Sequence, residues 1–96
     1  MNLEEYYKHY LSLHRNKWCR RLHLFGQLTT VLFVVFCIRL HLWPALLLAP
    51  LVVYPFAWSG HYFFEKNIPA AFSSPIKAKI CDWLMTKDIL TGKIEL

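Results

Sequence analysis

The chain has 96 residues, 56% of them hydrophobic, 17% aromatic and 18% charged, which is too short for two domains and too apolar for an ordinary soluble one. Its net charge of +5 sits at the two ends: residues 1 to 23 carry five bases and two acids, residues 24 to 64 carry Arg39 alone, and residues 65 to 96 carry five bases and four acids. With no basic recognition helix, RNA-binding aromatic motif or zipper, this pattern argues against nucleic acid and for one all-α membrane domain over 1–96 whose charged ends meet lipid headgroups. Cys19, Cys37 and Cys81 are an odd number with no C-x-x-C pair, so neither a disulfide framework nor a zinc knuckle is expected, and the polar ends are expected to face a reducing compartment.

The first predicted element is an interfacial amphipathic helix over 3–15. Leu3, Tyr6, Tyr7, Tyr10 and His14 recur at helical spacing, while Glu5, Lys8, His9 and Ser12 fall largely elsewhere. Asn16 reads as the N-cap of the next helix, so a bend near 15–17 turns the chain from lying on the membrane to entering it. A polar, aromatic stretch of 23 residues stands before the apolar block, unlike a secretory signal.

The apolar block divides at Arg39-Leu40-His41-Leu42-Trp43-Pro44, where a charge, an interfacial Trp and a helix-starting Pro come together. Two antiparallel transmembrane spans are predicted, 22–41 and 44–64, each about 30 Å long as helix. The alternative is a re-entrant hairpin that dips without crossing. Basic residues beside the outer ends place both termini in the cytoplasm by the positive-inside rule. Pro50 and Pro55 remove backbone donors and bend the second span. Asn67-Ile68-Pro69 stops it. Ser73-Ser74-Pro75 starts a second interfacial helix over 75–88, with Ile76, Ile80, Trp83 and Leu84 on one face, Lys77, Lys79 and Lys87 toward headgroups, and Thr91-Gly92 as the stop.

The hairpin brings histidines together. Residue 42, in the turn, is the midpoint of His23 and His61, so two helices about 9 Å apart hold these imidazoles at one depth. A fold at Asn16 returns His14 over the same end. An unbroken helix would place His14 and His23 on opposite faces, because nine residues turn through about 900°. His61 and Glu65 form an H-x-x-x-E pair on one helix face. Three neutral imidazoles and a carboxylate suit a divalent transition metal, with open positions in the manner of oxygen-activating non-haem iron rather than closed structural zinc. Ionisable groups near a bilayer favour a functional reading. Taken singly, each of these histidines also fits an interfacial or packing role, and Glu65 with Lys66 also fits a headgroup-facing charge pair. His9 belongs to the polar face of the first helix. His41, about 27 Å from His23, lies in the far loop.

The segments Tyr10-Leu11-Ser12-Leu13-His14-Arg15-Asn16, Arg20-Arg21-Leu22-His23 to Gly26, and Phe56-Ala57-Trp58-Ser59-Gly60-His61-Tyr62-Phe63-Phe64-Glu65-Lys66-Asn67-Ile68-Pro69-Ala70 resemble a family of small membrane proteins similar to the yeast Fe(II)-dependent 2-hydroxy-palmitate dioxygenase. The tail, with Pro75, Asp82-Trp83, Met85 and Lys87-Asp88-Ile89-Leu90-Thr91-Gly92, resembles short bacterial members. Cys19 stands where many members carry Asn, and Ser74 where short members often carry His. The resemblance implies Fe(II)-dependent alpha-oxidation, in which a long-chain 2-hydroxy fatty acid and O2 give a fatty acid one carbon shorter. It implies His14, His23 and His61 as catalytic metal ligands with Glu65 as their partner. Arg20, Arg21, Lys66 and Asn67 are candidates for binding the substrate carboxylate.

A bacterial inner membrane or the endoplasmic reticulum is the expected location. A homo-oligomer, most simply a dimer, is expected because a two-helix hairpin encloses a metal and a lipid thinly. Two other readings stand beside the oxygenase: a non-catalytic hairpin that organises lipid or assists a membrane complex, and a zinc lipid hydrolase.

Overall fold

A computed structural model describes residues 2–95, and every regular element among them is helical. Helix α1 spans Leu3–Ser12, and α2 spans Lys17–Arg39. The second apolar stretch is a composite, with a 3-10 segment over Trp43–Leu51, helix α3 over Tyr54–Gly60 and a π turn over His61–Glu65. After a 3-10 turn at Ala70–Phe72, helix α4 spans Pro75–Leu90.

Local chemistry sets these boundaries. The Asn2 side chain caps α1 through the Glu5 amide at 2.8 Å, and the Asn16 side chain caps α2 through the Trp18 amide at 2.8 Å. Helix α2 therefore starts at Lys17, five residues before the apolar block alone would begin it. It ends in a Schellman arrangement: His41 adopts φ 57°, the Leu42 amide donates to the Cys37 carbonyl at 2.8 Å, and the His41 amide donates to Ile38. Pro50, which offers no donor and clashes with the preceding turn of a regular α-helix, lies inside the 3-10 segment, while Pro55 lies in the first turn of α3.

Two helical stretches, Lys17–Arg39 and Trp43–Glu65, are long and apolar enough to cross a membrane. They meet where side chains are smallest. A Cβ on Gly60 would stand 2.9 Å from Cys19 Sγ, and one on Gly26 would stand 2.9 Å from Val53 Cγ2. Helices α1 and α4 pack on each other through Tyr6, Tyr10, Cys81, Met85 and Ile89, and the Tyr7 hydroxyl donates to Asp88 at 2.6 Å.

Polarity is inverted relative to a soluble core. Buried positions include His14, His23, Gln27, Thr30, His61, Asp82 and Thr86, while Leu32, Leu47 and Phe63 are 69%, 82% and 63% exposed. Helix α4 shows the inversion within one element. Its Ile76, Ile80 and Trp83 face outward, and the stripe Ala78, Cys81, Asp82, Met85 and Thr86 faces the bundle.

Candidate metal centre

His14 leaves α1 just past its C-terminus, His23 lies in the second turn of α2, and His61 opens the π turn after α3. All three are buried, with ring centroids 4.5 Å apart for His14 and His23, 4.5 Å for His14 and His61, and 5.4 Å for His23 and His61. One ligand atom from each, together with Cys19 Sγ, lies in a set whose members are all within 4.8 Å of one another.

Each ring is held by its Nδ1. His14 Nδ1 donates to the Tyr10 carbonyl at 2.6 Å, and the Tyr10 ring stacks on the imidazole at 4.1 Å. His61 Nδ1 lies 2.6 Å from Asn67 Oδ1, while Asn67 Nδ2 donates to the Leu13 carbonyl at 3.0 Å. That second bond fixes the amide orientation, so the oxygen faces the histidine and accepts its proton. His23 Nδ1 faces Asp82 Oδ1 at 3.3 Å. Pinning Nδ1 as the donor leaves each Nε2 as a lone pair, the tautomer a metal requires.

The Nε2 atoms turn inward. His14 Nε2 and His61 Nε2 stand 2.9 Å apart, and His23 Nε2 is buried without a hydrogen-bond partner. Lone pairs facing each other, with a third orphaned beside them, are unfavourable in a dry site unless a cation lies between them. Protonation is a poor remedy for His14, because burial first, and then the neighbouring His23, hold its pKa down to about 2. Three imidazoles with a thiol beside them are a donor set that fits a divalent transition metal.

The remaining candidate residues are placed differently. Glu65 is outside this donor set; its Oε2 accepts the Asn16 amide at 2.9 Å, drawing the carboxylate to the N-terminus of α2. Arg20 donates to the His14 and Arg15 carbonyls at 3.1 and 2.7 Å. The Arg21 guanidinium lies 4.5 Å above the Trp18 ring. Lys66, with φ 58° and ψ 42°, closes the π turn, its amide donating to the His61 carbonyl at 2.6 Å. This left-handed closure turns Asn67 back onto His61. Asn67 is thus a support for a histidine.

Asp82 is the residue the sequence reading passes over in this role. The available signal is a carboxylate inside the otherwise small and apolar stripe Ala78, Cys81 and Met85 on α4. A cavity of about 20 Å³, room for one ion or water, is lined by the three histidines with Tyr10, Asp82 and Lys79, and its wall includes Tyr54 and Trp58. Helix α4 packs on α1 and on α2 beside this cavity.

The sequence model of the family described as 2-hydroxy-palmitic acid dioxygenase Mpo1-like matches residues 1–94. No curated protein and no solved structure matches the chain.

Proposed function

We propose, given that the chain belongs to the 2-hydroxy-palmitic acid dioxygenase Mpo1-like family, that it is a membrane-embedded Fe(II) dioxygenase of fatty acid alpha-oxidation. Its substrates are a long-chain 2-hydroxy fatty acid and O2, and its product is the fatty acid one carbon shorter. With the lost carbon leaving as carbon dioxide and one water formed, a single O2 balances the oxidation, so no separate reductant enters the overall reaction.

The observation that carries this reading is the convergence of His14, His23 and His61 with every Nδ1 occupied. Iron held there would supply O2 activation and a binding site for the substrate's adjacent hydroxyl and carboxylate oxygens. The protein's own work is positioning. Tyr10, Asn67 and Asp82 fix the three ring orientations around a cavity with room for the ion, and the substrate head would approach from its open side.

The outward apolar surface suits an acyl chain in hydrocarbon as its co-solvent. From the Cys19–Gly60 approach to the Gly26–Val53 approach one stretch advances seven residues while the other goes back seven, which supports an antiparallel hairpin. Both termini then lie on one side, the cytoplasmic side by charge.

The test is anaerobic purification in detergent, Fe(II) loading, and measurement of O2 uptake and pentadecanoate formation from 2-hydroxyhexadecanoate. Stoichiometric iron and both signals are expected, and all are lost in His61→Ala. Bound zinc with no O2 uptake would point to the hydrolase, and failure to hold any metal to a structural hairpin.

A further inference from the structure

We infer that Lys79 is the cation that binds the substrate carboxylate, reaching it from the wall of the histidine cavity. This rests on the 2-hydroxy acid reading above and assigns the recognition of the acid head to a residue on α4. Among the described residues lining the cavity, Lys79 is the one lysine or arginine. Arg20 donates to the His14, Arg15 and Glu95 carbonyls, Arg21 lies over Trp18, and the exposed Lys66 side chain is outside this lining.

The surroundings of the ammonium favour an anion. Lys79 Nζ donates to the Pro50 carbonyl at 2.7 Å and lies 4.5 Å from the centre of the Tyr54 ring. An ammonium has three donors, and one donated bond leaves capacity for a carboxylate. The side chain is half-buried beside the apolar 3-10 segment rather than extended into water. A carboxylate arriving there meets a charge with less hydration to give up than at an open surface, so their attraction is larger. Burial also lowers the Lys79 pKa, with Asp82 opposing the shift, and an anionic ligand would restore the charged form.

Register connects this ammonium to the histidines. Lys79 precedes Asp82 by three residues on α4, so the two side chains share a face about one turn apart. Asp82 holds His23 at that level. Lys79 and the three histidines line one cavity. In a 2-hydroxy acid the carboxylate and hydroxyl are on adjacent carbons, so for one head to engage both the ammonium must leave the Pro50 carbonyl, eleven residues before His61, and swing toward the histidines. Tyr54 stacks on Trp58 at 5.3 Å and Trp58 meets Phe72 edge-on at 5.5 Å. This aromatic run ends at exposed Phe72, an apolar track for the acyl chain.

The experiment compares binding of 2-hydroxyhexadecanoate and of hexadecane-1,2-diol, which lacks the carboxylate, to Fe(II)-loaded full-length protein without O2. Lys79→Met is expected to weaken acid binding by about tenfold or more, as for loss of a charged hydrogen bond, while diol affinity and iron content stay at wild-type values. Lys79→Arg should retain most acid affinity. Unchanged acid affinity in Lys79→Met, or equal weakening of acid and diol, would overturn the assignment. Selective loss of acid binding in a protein that holds no iron would uphold Lys79 and defeat the iron reading. A wild type that holds iron yet binds neither compound would defeat the substrate reading, and Lys79 with it.

Discussion

His14 Nε2 and His61 Nε2 face each other at 2.9 Å, although the Nδ1 of each ring is already occupied, by Tyr10 and by Asn67. Two acceptors are thus held together by bonds made elsewhere, an arrangement that a shared cation relieves. Removing any one of His14, His23 and His61 as Ala should leave almost no iron after gel filtration. Glu65→Gln should keep it, because Glu65 accepts the Asn16 amide and lies outside the donor set. Metal analysis of the four variants separates a three-histidine centre from one that includes the carboxylate; iron loss in Glu65→Gln would favour the latter.

Asp82 acts on the centre through His23. Asp82→Asn keeps the shape but removes the charge that makes His23 Nδ1 a strong donor, so iron affinity should fall about 10- to 100-fold. Saturating Fe(II) should restore occupancy, unlike in His23→Ala. Competition with a calibrated chelator measures this, and wild-type affinity in Asp82→Asn would remove Asp82 from the centre.

The meeting of the histidines was legible in the sequence because a turn near residue 42 lies midway between His23 and His61, a count that holds although the second stretch passes from 3-10 through α to π, and Asn16 marks the bend that returns His14. The support for their rings was less legible. Asp82 reaches His23 across 59 positions through the packing of α4, which no spacing within either segment encodes. H-x-x-x-E spacing suggests a shared ligand face, but Glu65 finds the uncapped Asn16 amide instead. The same limit applies to α4, whose Ile and Trp residues could belong to either a core or a lipid face. Its stripe with Asp82 turns inward because a buried carboxylate needs the partner that His23 supplies.

The Tyr7 to Asp88 hydrogen bond, 2.6 Å long, clamps α1 to α4 and so holds His14 over the centre. Tyr7→Phe should lower stability by about 1 kcal/mol. The Tyr7 hydrogen bond, and then Lys87, hold the Asp88 pKa below its ordinary 3.8. Asp88 therefore contributes stability above pH 3.8 that is lost as pH falls through its lower folded value. Burial and Asp88 raise the Tyr7 pKa above 10.0, so its contribution is complete below pH 10 and lost above that. Thermal melts across pH should show both losses reduced in Tyr7→Phe, and parallel profiles for the two proteins would show that the clamp is energetically idle.

Gly60 tests whether the closeness of the two spans positions the centre. A Cβ there would be 2.9 Å from Cys19 Sγ and 3.2 Å from Cys19 Cα. The thiol can rotate away, but the backbone atom yields only if α2 and α3 separate. Gly60→Ala should therefore cost about 1 to 3 kcal/mol. His61 follows Gly60 directly and His23 lies one turn beyond Cys19, so the same separation should loosen iron binding. In Gly26→Ala the new methyl meets side-chain atoms, Val53 Cγ2 at 2.9 Å and Phe56 Cβ at 3.1 Å. A Val53 rotamer change relieves the first, but the Phe56 Cβ moves only with its backbone, so this variant should also be destabilised; its contacts lie farther from the histidines, and it should keep more of its iron than Gly60→Ala. Adding Cys19→Ala to Gly60→Ala removes Sγ while leaving Cα, and should recover part of the stability; because Cys19 Sγ belongs to the donor set, Cys19→Ala alone serves as the reference for iron affinity. Denaturation and chelator competition on the four variants give the comparison. A Gly60→Ala protein with wild-type stability and iron affinity would show that the spans approach less closely than the Cys19 contact requires.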